Sequence, residues 1–108
     1  MQAGCYLKFY VAEGQRHRGV LAYEWLLEEG KKHGLHGGSA FRAIAAFGRH
    51  GRMHAAHFVE LAGDLPVEVG FALTEAEAAG FLAHLGREKL ELFYVKLPLE
   101  MGVTGAEP

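Results

Sequence analysis

The sequence predicts a small α+β domain of ferredoxin-like βαββαβ type, an antiparallel sheet with two helices on one face. Three observations carry that expectation. Residues 5–12, 67–73 and 92–97 alternate with a period of two, as half-buried strands do. Residues 19–33 and 75–86 repeat apolar residues at helical spacing. The order is strand, helix, an ambiguous element, strand, helix, strand, which makes two βαβ halves if the ambiguous element is a strand.

In Cys5–Ala12, Leu7, Phe9 and Val11 share one side and Tyr6, Lys8 and Tyr10 the other; Cys5 reads as a strand-edge residue. Gly19–His33 gathers Leu21, Ala22, Trp25, Leu26 and Gly30 on one helical face, with Glu24, Glu28, Lys31 and Lys32 outside. Gly34 followed by Leu35 is a helix stop. Gly38–Phe47 fits both periods: its alanines favour a helix capped by Ser39, whereas the repeat of two halves favours a strand. Gly48–His54 is basic and broken by glycine, so it reads as a mobile loop; His57–Ala62 reads as a short strand and Gly63–Pro66 as a turn.

Val67, Val69, Phe71 and Leu73 alternate with Glu68, Gly70 and Ala72. Thr74-Glu-Ala-Glu77 is a capping box opening a helix that turns Ala78, Phe81, Leu82 and Leu85 inward and stops at Gly86. Arg87-Glu-Lys89 leads into Leu90–Leu97, where Phe93, Val95 and Leu97 alternate with Leu92, Tyr94 and Lys96. Residues 99–108 read as a flexible tail. Nothing resembles a linker, so one domain spans 1–108.

Composition excludes several function classes. The 108 residues are 50% hydrophobic and 22% charged, and no apolar run nears the roughly 20 residues of a membrane span. The N-terminus lacks a secretory pattern and Cys5 is a single cysteine, which together point to the cytoplasm. There is one serine, one aspartate and no asparagine, and no P-loop, HExxH or CxxC motif. Catalytic residues, a metal site and a tightly bound cofactor are therefore not expected, and the chain reads as a binding protein.

The net charge of −2 hides an asymmetry. Between Glu29 and Glu60 no acidic residue occurs, while Lys31, Lys32, Arg42, Arg49 and Arg52 do, with five of the seven histidines. Segregation of this kind attracts small anions. Nucleic acid would want a broader basic face and is not expected as a partner.

Leu7-Lys-Phe-Tyr-Val-Ala-Glu13, Gly19-Val-Leu-Ala-Tyr-Glu24, and above all the block Gly34-Leu-His-Gly-Gly-Ser-Ala-Phe-Arg-Ala-Ile-Ala-Ala-Phe-Gly48 resemble the PII-like family catalogued as domain of unknown function 190. The resemblance covers about residues 5–97 and extends to the Leu65-Pro66 strand entry. It implies a homotrimer with nucleotides in clefts between subunits, and it makes Ser39–Phe47 a strand. It also implies that residues 48–57 form an effector loop regulating a partner, by analogy a membrane transporter or channel. The glycine-rich phosphate loop of PII proteins has its counterpart in Gly86-Arg-Glu-Lys89, without the Gly-Asp-Gly-Lys form. That shorter grip favours AMP or ADP over ATP or cyclic AMP, and bicarbonate is a possible second input.

The candidate nucleotide-binding residues follow. Arg49 and Arg52 offer bidentate forks for phosphate, and Gly48 and Gly51 let backbone approach an anion. Arg87 and Lys89 follow Gly86 in the phosphate loop, while Ser39 and Phe41 can hydrogen-bond and wall an adenine. His50, Met53, His54 and His57 belong to the effector loop, where the histidines can tune anion affinity near neutral pH. Two alternatives use the same histidines: a metal-sensing PII-like protein, and a small enzyme with a histidine general base beside Glu60.

Overall fold

The computed structural model describes residues 1–47, 53–54 and 65–106. Its elements are β1 (Gln2–Ala12), β2 (Arg16–His17), β3 (Val20–Leu21), α1 (Ala22–Lys32), β4 (Ser39–Arg42), β5 (Ala46–Phe47), β6 (Met53–His54), β7 (Pro66–Leu73), α2 (Glu75–Arg87) and β8 (Phe93–Met101). Four strands form one antiparallel sheet in the order β4-β7-β1-β8, the ferredoxin-like arrangement. The ambiguous segment is a strand over Ser39–Arg42, breaks at 43–45, and resumes as β5.

Period-two alternation decides which face is buried. Cys5, Leu7, Phe9 and Val11 of β1 lie opposite Leu73, Phe71, Val69 and Val67 of β7, and all eight are buried. Against this face pack Ala22, Trp25 and Leu26 of α1 and Ala78, Phe81 and Leu85 of α2. Phe9 is the hub: its ring meets those of Phe71, Phe81 and Tyr94 at 6.3, 6.0 and 6.1 Å, the first two edge-on. Cys5 is not at an edge, because β1 is a central strand and Cys5 is fully buried. Burial first, and the nearby Glu75 carboxylate second, push its thiol pKa up. Among the described residues no helix is long and apolar enough to cross a membrane.

The ends of the elements follow local chemistry. Thr74 Oγ1 accepts from the Glu77 amide at 3.1 Å and the Thr74 amide donates to Glu77 Oε1 at 2.9 Å, completing the capping box. Thr74→Ala is expected to cost about 1 kcal/mol, read as a shift in the urea midpoint. Helix α1 ends as expected, with Gly34 left-handed (φ 79°).

Helix α2 instead runs through Gly86 to Arg87, and Lys89 takes the left-handed position that a glycine usually fills (φ 58°). The expected tail is also corrected. Strand β8 continues to Met101, with Leu99, Glu100 and Met101 paired to Gly4, Ala3 and Gln2.

Candidate functional site

One end of the sheet collects the segments the sequence singled out. Strands β1 and β4 finish there and β7 and β8 begin there, so three connections leave from the same end: residues 13–21, the chain after Arg42, and the α2–β8 loop. An Arg42–Glu13 ion pair ties two of them, and Glu13 and Ala43 amides donate to the Leu65 and Pro66 carbonyls at 2.8 and 3.0 Å.

Across the face without helices, register sets Phe41, Glu68, Tyr10 and Phe93 in one row and Ser39, Gly70, Lys8 and Val95 in the next. Lys8 Nζ lies 3.2 Å from Glu68 and 5.8 Å from the centre of the Tyr10 ring. Phe41 is 61% exposed, with Phe93 and Leu97 close to half exposed. A row of aromatic side chains therefore lies open on a sheet face.

The expected binding residues fall into two groups on this end. Ser39 and Phe41 sit on edge strand β4, while Gly86, Arg87 and Lys89 precede the opposite edge strand, β8. Three strand spacings separate the edges, about 14 Å. One chain does not bring the two groups together. Gly48, Arg49, His50, Gly51, Arg52 and His57 lie outside the described residues. Met53 and His54 correct the expectation of a loop, since their backbone forms β6 and pairs with Phe47 and Ala46. Among the described residues no cluster of three or more His, Cys, Asp or Glu is placed to hold a metal.

The α2–β8 loop is held by a hairpin that the sequence did not announce. Residues His17 and Val20 pair across Arg18-Gly19, both with positive φ (52° and 82°), the geometry of a two-residue type I′ turn. Asn-Gly is the usual signal for it, and Arg-Gly hides it. The hairpin also caps α1, because the Gln15 carbonyl accepts from the Ala22 amide at 2.8 Å.

From the hairpin, Arg18 Nε donates to Glu88 Oε1 at 2.8 Å and His17 Nε2 lies 3.2 Å from the same oxygen. The Arg18 bond, then that of His17, holds the Glu88 carboxyl below the usual carboxylate range. Arg87 and Lys89, on either side of Glu88, are exposed and have no ion-pair partner among the described residues.

A second cluster was also missed. Trp25 stands between His17 (ring centres 4.4 Å apart) and His84 (6.5 Å, stacked). His84 Nε2 is 2.6 Å from Glu29 Oε1, and Lys32 Nζ is 3.4 Å from Glu29 Oε2. Burial pushes the Glu29 pKa up, but hydrogen bonds from His84 and Lys32 outweigh it and leave it below the usual value. The stability this carboxylate contributes is therefore present at neutral pH and lost as pH falls through its lowered pKa. The signal was available: Glu29 lies four residues after Trp25, a carboxylate on the apolar face of α1.

Beside α1 lies a groove of about 300 Å³, floored by Phe71 and edged by Leu27, Lys31, Leu35 and His36. Gly30 and Gly38 leave it room, because a Cβ on either would stand 2.6 Å from the Phe71 ring.

Comparison with known proteins then decides the family. Residues 4–92 match the model of domain of unknown function 190, described as "Uncharacterized ACR, COG1993". The chain belongs to this family. A UPF0166 protein of Aquifex aeolicus (strain VF5) is 32% identical over 79 residues, which cover 73% of this chain and 75% of that protein.

Two solved structures share the family member's fold, so the fold is PII-like. Both are of CPII, a nitrogen regulatory PII-like protein from Thiomonas intermedia K12. One, bound to ADP, AMP and bicarbonate, aligns with a TM-score of 0.66 and 14% identity. The other, bound to ADP and bicarbonate, aligns at 0.64 and 14%. Each alignment covers 94% of this chain and 90% of CPII.

Proposed function

We propose that this DUF190 chain is a non-enzymatic PII-like signalling protein. In this reading it forms a homotrimer, binds an adenine nucleotide, AMP or ADP, between subunits, and passes the signal to a partner through the segment after Phe47. The observation that carries the reading is the separation of its two candidate groups. Ser39 and Phe41 lie on one edge strand, while Arg87 and Lys89 lead into the opposite edge strand, the two edges being about 14 Å apart. Packing the open sheet faces of several copies covers Phe41, Phe93 and Leu97 and brings the cationic loop of one copy to the β4 edge of the next.

The chemistry suits the ligand. Arg87 and Lys89 supply unpaired charge for phosphate, and Phe41 supplies an exposed ring for the base. That CPII, which shares the fold, is bound to ADP, AMP and bicarbonate supports the ligand class and the choice of bicarbonate as second input. A ligand of this kind acts by neutralising clustered positive charge, and residues 48–57 then dock on a membrane transporter or channel.

Calorimetry with AMP, ADP, ATP, cyclic AMP and bicarbonate tests the reading. The expected result is one AMP or ADP per chain, with a dissociation constant below about 1 mM. Heat from none of the nucleotides at millimolar concentration would refute it.

A further inference from the structure

We propose that the β2–β3 hairpin is a clamp that positions the candidate phosphate loop: Arg18 and His17 grip Glu88, and Glu88 in turn holds Lys89 and Arg87 in the orientation that meets an anion. This inference rests on the nucleotide reading above. Its support is geometric. Among the described residues only two non-glycine residues have positive φ, Arg18 at 52° and Lys89 at 58°. They lie on the two sides of a single contact, Arg18 to Glu88, with Lys89 the next residue in the chain. Left-handed backbone at such residues persists only where surrounding contacts over-determine it, and it gathers where positioning matters.

Each part has a reason to be there. The two-residue turn fixes Arg18, whose neighbour Arg16 donates to the Gly19 carbonyl at 3.1 Å and tightens the turn. His17 is fixed by the Trp25 ring at 4.4 Å. Glu88 is the C-cap of α2, so gripping its carboxylate anchors the last turn that carries Arg87 and the left-handed residue that carries Lys89. Without the carboxylate, Arg18 would lose the one ion-pair partner it has among the described residues.

Two measurements on the full chain decide it. In Glu88→Gln and in Arg18→Gln, amides of residues 16–20 and 86–90 are expected to exchange about tenfold faster, with the rest unchanged. Exchange unaltered at both segments would overturn the clamp. In titrations with AMP and ADP both variants are expected to bind about tenfold more weakly, and the double variant no more weakly than the worse single one.

Variants binding within twofold of wild type would overturn the clamp and leave the nucleotide reading standing. Wild-type protein binding neither nucleotide would overturn that reading, and with it the role given to the clamp.

Discussion

Replacing Arg87 by Gln and Lys89 by Gly together is expected to weaken AMP or ADP binding at least about a hundredfold while leaving the fold intact. A charge-assisted hydrogen bond contributes roughly 1.5–3 kcal/mol, so two lost phosphate contacts multiply to that factor. The choice of glycine matters. Lys89 sits at φ 58°, where glycine is free of the steric cost that other residues bear. Lys89→Gly should therefore raise the unfolding midpoint even as it removes a cation, gaining about 0.5–1 kcal/mol. Loss of binding in a protein at least as stable as wild type separates a ligand contact from a structural one. Retained affinity in the double variant would move the phosphate site elsewhere.

Phe9→Ala is the second large expectation, and it acts in the opposite way. Phe9 is 1% exposed and touches the rings of Phe71, Phe81 and Tyr94, so truncation leaves a cavity that three neighbours on three elements line. Such a change costs about 3–5 kcal/mol. A small domain has about 5–15 kcal/mol in total, so a large part of it is consumed. Urea unfolding is the readout, and nucleotide binding is expected to fall only in proportion to the folded fraction. A loss under 1 kcal/mol would mean that the core is not organised around β1.

The parts of this fold that were legible were those with strong periodicity. Leu7, Phe9 and Val11, and Val67 to Leu73, alternate cleanly because one side of each strand meets the helices. The Thr74–Glu77 box announced α2 because both hydrogen bonds are local in sequence. Residues 38–47 were harder, since alanine fits helix and strand alike, and only the pairing of Ser39–Arg42 with β7 decides the matter.

What escaped the sequence was long-range or lacked its usual marker. The Arg18-Gly19 turn lacks the asparagine or aspartate that advertises its type, and Lys89 stands where a helix usually ends on glycine. Glu88 meets His17 and Arg18 across about 70 residues of chain, which no local pattern records. The candidate site was legible as residue types, Ser39, Phe41, Arg87 and Lys89. That Ser39 and Phe41 lie on one edge strand while Arg87 and Lys89 lead into the other is a property of strand order.

That separation makes a between-subunit site the central claim, and native mass spectrometry of the protein with AMP or ADP tests it most directly. The expected result is an assembly of three chains carrying up to three nucleotides, with no nucleotide on single chains. Nucleotide held by a single chain, or a three-chain assembly that takes up none, would contradict it.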